Sequence, residues 1–199
     1  MNAVSPSHEE MIDDFTRPAN SRTTAQARKH IRKVLRTGAL SLHASGRSVG
    51  LGAVTAAHVE DNVVVSIPLR DLGERSNVTV LFDRNWNMTS FTEAHLREID
   101  ASSGHATIWS DGNLIVDRVV NADEIAPHSG ETGTMRHKSS YWSALNSCLS
   151  SAGIASWLVA AALVACGATG PVGAVICLIG AGIGVGTASF CARWAWAHR

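Results

Sequence analysis

The chain has 199 residues, enough to bury one sizeable core or two smaller ones. Its 17 basic and 17 acidic residues balance to zero, which predicts no bulk attraction to nucleic acid or to acidic partners. The average hides a division: no Asp, Glu, Lys or Arg occurs from Ser139 to Ala192, and all four cysteines fall inside that stretch.

Residues 1–21 read as a polar arm punctuated by Pro18 and Asn20. Acids come early here and no apolar run has the length of a signal peptide, so a cleavable secretory signal is not expected at this end. Next, "SRTTAQARKHIRKVLRTGALSLHASG" carries six basic residues between Arg22 and Arg36 and no acid. Thr23 or Thr24 is the expected cap, Ala27, Ile31, Val34 and Leu35 recur at helical spacing, and Gly38 is the expected stop. Such a helix suits an anionic surface or partner, or simply keeps its charges in water.

From Val49 to Val120 the pattern changes to short runs rich in β-branched residues, "NVVVSIPL", "NVTVLFD" and "NLIVDRVV". "SDGN" (Ser110 to Asn113) predicts a tight hairpin turn, and Asp83 and Asn85 supply turn chemistry in "FDRNWNMTSF". "SFTEAHLREID" carries a capping-box pattern, Ser90 and Glu93, yet sits among hairpins; a further strand of a meander is the expectation. The fold class that follows is α+β: a basic N-terminal helix and a small antiparallel meander over 22–120, a linker over 121–138, and an all-α, glycine-rich helical hairpin over 139–199.

Catalytic signatures are thin. Thr55-Ala56-Ala57-His58 resembles the segment around the histidine of trypsin-like proteases, but no activated-serine segment follows, so His58 reads as a strand-end or surface residue. The nine histidines show no zinc spacing, and the glycines near Gly180 are not followed by Gly-Lys-Ser/Thr. Asn77-Val78-Thr79 and Asn87-Met88-Thr89 fit the glycosylation triplet, which carries weight only on an exported chain. The expectation is a non-enzyme with no cofactor and no metal.

The charge-free part divides at "CGATGPVG", where Gly167, Gly170 and Pro171 would end one helix and begin another. The two arms, Ala144 to Cys166 and Val172 to Ala192, each approach the roughly 20 residues that span a bilayer core. Both are rich in Ala, Gly and Ser, so insertion would be marginal. Gly180 with Gly184, and Gly182 with Gly186, form two small-xxx-small pairs suited to close helix packing and self-association in lipid; a helix buried in the protein's own core would suit them equally. Folding the arms on each other nests Cys166 with Cys177 and Cys148 with Cys191, one of three connectivities open to four cysteines; four reduced thiols are the alternative. The same fold gathers Arg136, His137, Lys138, Tyr141 and Trp142 beside Arg193, Trp194, Trp196, His198 and Arg199, an interfacial set of aromatic and basic residues.

The stretch "NSCLSSAGIASWLVAAALVACGATGPVGAVICLIGAGIGVGTASFC" behind a β-rich region resembles, over about a quarter of the chain, the precursors of halocin-type bacteriocins of archaea and actinobacteria. The resemblance implies a leader or immunity role for the first part and membrane killing for the second. It also implies a processing protease and an exporter as partners, and a C-terminal peptide that is secreted after cleavage. Two other readings stay open: a small β domain tethered to a membrane with both ends on the cytoplasmic side, and a soluble interaction module that buries the hairpin against its own sheet.

Overall fold

Alternating β-branched residues build the centre of the molecule, because a strand sends successive side chains to opposite faces. The computed structural model describes residues 16–59, 61–125, 134–166 and 171–198. Within them, seven strands form one antiparallel sheet: β1 (Thr16–Pro18), β2 (Thr55–Val59), β3 (Asn62–Pro68), β4 (Asn77–Phe82), β5 (Met88–Asp100), β6 (Ser103–Ser110) and β7 (Asn113–Asn121). Every strand lies beside its sequence neighbours, from β1 at one edge to β7 at the other. Helix α1 (Ser21–Arg36) precedes β2, and four helices follow the sheet: α2 (Thr134–Ser151), α3 (Ser156–Cys166), α4 (Pro171–Gly180) and α5 (Val185–Ala197).

The α+β class and the meander agree with the sequence reading; several boundaries do not. Asn20, not Thr23 or Thr24, caps α1, its side chain accepting from the Thr23 N–H at 2.8 Å. An Asn accepts as readily as a Thr at that position, and Pro18 fixes the extended entry before it. Gly38 does end the helix, with φ at +74°. Thr16–Pro18, expected in the arm, pairs with Ala57 to Val59 as an edge strand; the rest of that arm, 1–15, lies outside the described residues. "SFTEAHLREID" is strand throughout, since Ala94 and Leu96 serve one face of the sheet while Phe91 and Glu93 serve the other. The "SDGN" turn has φ of +50° at Asp111 and +82° at Gly112, the mirror-image geometry that matches strand twist. At the other turn Asp83 accepts from the N–H groups of Asn85 and Asn87, and bonding with the Asn87 side chain holds its carboxyl below the usual range.

Each sheet face has its own core. Ala27 and Ile31 of α1 pack on Val63, Val65, Ile67, Val78, Val80, Phe82 and Phe91. On the opposite face, α2 to α5 cover Val64, Ala94, Leu96, Ala106, Ile108, Val116 and Val120. The expected linker is shorter than its composition suggested, because β7 runs to Asn121, a 310 turn follows through Ile125, and α2 starts at Thr134. Residues 126–133 lie outside the described residues.

Candidate functional site: the stapled helical layer

Where two long arms were expected, the charge-free part folds into four short helices. Each arm breaks at a glycine in the left-handed region, Gly153 at φ +78° and Gly182 at φ +75°. Both breaks have the same hydrogen bonds. Gly153 N–H donates to the Ser150 carbonyl and Ile154 N–H to that of Leu149. Gly182 N–H donates to Ile179 and Ile183 N–H to Leu178 in the same way. This is the Schellman ending, with its apolar contact supplied by buried Leu149 and Ile154 in one copy and buried Leu178 and Ile183 in the other. The repeat is written in the sequence as "CLSSAGI" (148–154) and "CLIGAGI" (177–183), a signal that the search for membrane-length arms overlooks.

The breaks change what the glycines do. Gly182 is required twice over: its φ excludes most side chains, and a Cβ there would sit 2.6 Å from the Arg75 carbonyl oxygen in the β3–β4 loop. Gly180 lies over Thr79 of the sheet. Nothing lies within 4 Å of a Cβ placed at Gly184 or Gly186, so these two make no close helix contact. The small-xxx-small pairs expected on one continuous helix are thus divided between α4 and α5, since the helix stops at Gly180 and resumes at Val185.

Cys148 and Cys191 form a disulfide, with a Cα–Cα distance of 5.4 Å, that ties α2 to α5. Cys177 is disulfide-bonded as well; the side chain of Cys166 lies outside those described. Beside the first disulfide runs a groove of about 580 Å3, lined by Ser147, Ser151, Thr187, Phe190 and Trp194, with Phe190 among the most exposed apolar side chains at 57%.

The expected interfacial cluster is split. Tyr141 and Trp142 are buried in the core beneath the helices, ring centroids 5.7 Å apart, and burial pushes the Tyr141 phenol well above its ordinary pKa. The protein's own apolar core claims these rings before any lipid could. Trp194 is half-exposed and stacks on His198 at 4.3 Å, and Arg193 is half-buried on the same helix. The side chains of Arg136, His137, Lys138, Trp196 and Arg199 lie outside the described residues.

The layer is anchored to the sheet at identifiable points. Trp157 of α3 lies on Gly104 of β6 so closely that a Cβ there would meet its ring at 2.4 Å. Asn77 Nδ2 donates to the Ile179 carbonyl at 3.3 Å, across the sheet–helix boundary. A void of about 40 Å3 between Thr79, Ala94, Ile108, Ala162 and Gly180 is small beside that groove.

A second cluster, on the opposite face, was not legible in advance. Glu93 is fully buried, and its carboxylate accepts from the backbone N–H groups of His43 (2.7 Å) and Ala44 (2.6 Å). His95 Nε2 lies 2.7 Å from it, and the His43 ring stacks on Trp109 at 4.4 Å. The arrangement latches the loop after α1 onto the sheet. Only pairing of β5 with β6, which sets Glu93 opposite Trp109, assembles it. Among the described residues no group of His, Cys, Asp or Glu is arranged to hold a metal ion, and His58 is exposed near the end of β2, opposite Arg17 and Val63, as expected of a strand-end or surface residue.

No protein family, curated protein or solved structure matches this chain.

Proposed function

We propose that the chain is a bacteriocin-like precursor, in which the α+β region acts as a cover for a disulfide-stapled, membrane-active helical peptide. One observation carries this reading. The charge-free helices form a separate layer whose apolar side lies against one face of the sheet, held by Trp157 on Gly104 and by side-chain packing. Apolar surface that would seek lipid is then occupied until the peptide is cut away. Cleavage between Ile125 and Thr134, by a processing protease, would free the layer for export and action at a target membrane. Exposed Phe190, half-exposed Trp194 and the groove beside Cys148–Cys191 are the parts of the layer that already face outward. Self-association in lipid would use faces now on the sheet.

A second reading rests on the same packing: a soluble interaction module that keeps these helices buried permanently, as the shared core of sheet and helices would allow. The tether reading has less to rest on, because no described helix is long and apolar enough to cross a membrane.

The test is dye release from phosphatidylglycerol vesicles by a chain with a specific protease site between Ile125 and Thr134, before and after cutting. Release that rises several-fold on cutting supports the precursor. Equal release before and after, or none, sinks it and leaves the interaction module. Reduction supplies a further arm. The Cys148–Cys191 loop spans 43 residues, and such a closure stabilises by roughly 2–4 kcal/mol, so reductant and high salt should both lower release by the cut chain.

A further inference from the structure

Apart from the helical layer, the chain segregates its charge. From Thr16 to Val59 there is no Asp or Glu, while Arg17, Arg22, Arg28, Lys29, Arg32, Lys33, Arg36 and Arg47 all occur. Five of these, Arg22, Lys29, Arg32, Lys33 and Arg36, are exposed and recur at three- to four-residue or seven-residue steps, one stripe along the outward side of α1. At 1.5 Å per residue the stripe is about 21 Å long. The other side of α1 is committed, with Ala27 and Ile31 fully buried on the sheet. Arg28 turns inward, its guanidinium 3.4 Å from the Gly52 carbonyl. The described ion pairs, Arg84–Asp61, Arg118–Glu124 and those of the histidines, include none of the five. Their field is felt locally: burial, then Lys33 and Lys29, hold the His30 ring below its ordinary pKa.

Acids lie elsewhere. Asp61, Asp71, Glu74 and Asp83 lie in the turns between β2 and β5, and Glu98, Asp100, Asp111, Asp117, Asp123 and Glu124 belong to β5–β7 and the turns around them, none of them on α1. The outward side of α1 is therefore a stripe of cations with no acid on the same helix.

We propose that the outward stripe of α1, Arg22, Lys29, Arg32, Lys33 and Arg36, docks the protein on an anionic lipid bilayer, on the side of the sheet opposite the helical layer. A plane of headgroups meets the stripe along one helix, whereas a nucleic acid following the surface further would run toward the acids of the turns and of β5–β7. The stripe is convex and contains no aromatic ring on which a base could stack; the nearby Trp86 is already stacked on His30 at 4.9 Å. Since the apolar side of α1 is buried, docking stays at headgroup level and is driven by charge. This inference goes beyond the precursor reading and does not require release of the helices.

The experiment is co-sedimentation of the intact chain with phosphatidylcholine vesicles, with and without phosphatidylglycerol, at low and high salt. Parallel arms use duplex DNA and single-stranded RNA. The variant is Lys29→Gln/Arg32→Gln/Lys33→Gln/Arg36→Gln, and the control, Arg70→Gln/Arg97→Gln, removes exposed cations outside the stripe; circular dichroism and thermal melting verify that both fold. Expected is salt-sensitive binding to the anionic vesicles only, weakened on the order of several hundred-fold in the variant and little in the control. Should the variant bind as the intact chain does, should neutral vesicles bind equally, or should nothing bind, the proposal is overturned. Tighter binding to DNA or RNA than to vesicles overturns it in favour of a nucleic-acid surface.

Discussion

Tyr141 is the chain's single tyrosine, so phenolate absorbance reports on that one group. Burial raises its pKa, which means the folded state favours the neutral phenol. The sign follows: this contribution to stability is fully present below the unfolded-state pKa near 10 and is lost as pH rises above it. Alkaline titration should therefore show no phenolate near pH 10, then a cooperative appearance coincident with unfolding; ordinary titration in the folded chain would show that Tyr141 is solvated. Glu93 offers a second single-residue test. Glu93→Ala leaves the His43 and Ala44 N–H groups without their acceptor. The expected cost is about 1–3 kcal/mol, read as a lower urea midpoint at unchanged slope. Neither residue's role was visible in sequence. Glu93 looked like half of a capping box, and Tyr141 like an interfacial ring, because burial depends on what the chain brings in from elsewhere.

Among the elements, the strands were the most legible and the helices of the charge-free part the least. Runs rich in β-branched residues such as "NVVVSIPL" carry their own evidence, and Asp111-Gly112 can adopt the positive φ of its turn. Uniformly apolar stretches lack a polar side to mark where they bend. What marks the bends is the repeated Cys-Leu-x-x-Ala-Gly-Ile, where glycine supplies the left-handed residue and isoleucine the closing contact. Of the two cysteine pairings that nested arms suggested, Cys148 with Cys191 is present even though the arms themselves are broken. The contact of α3 with β6 gives an element-scale prediction. Gly104→Val has no room beside the Trp157 ring. It should lift the helical layer locally, shift Trp fluorescence to the red and cost at least 1–3 kcal/mol, whereas Gly112→Ala, with nothing within 4 Å but a φ of +82°, should perturb only its turn. An unshifted emission in Gly104→Val would mean the layer is not seated there.

For the whole molecule, composition alone suggested two separable parts, yet the structure sets them face to face. Residues 1–125 on their own would uncover Ala94, Leu96, Ala106, Ile108, Val116 and Val120 on one side of the sheet. The α1 core on the other side stays intact, so the fragment should keep a β-type far-UV spectrum with dispersed amide signals. It should also bind a hydrophobic dye and self-associate, which the intact chain should not. A fragment that unfolds outright would show that sheet and helices share one cooperative unit. The strand order has a consequence in time. From β2 to β7 each strand pairs with the one just before it, so that part of the sheet needs only contacts close in sequence, the kind that form fastest, whereas Thr16 of β1 reaches Val59 across the whole of α1. On a ribosome all seven strands are complete before Thr134 is made, and the Cys148–Cys191 clasp must wait for the last helix. The apolar sides of α3 and α4 thus emerge beside a sheet already made to receive them, while α2 meets its main partner, α5, only when the chain is finished.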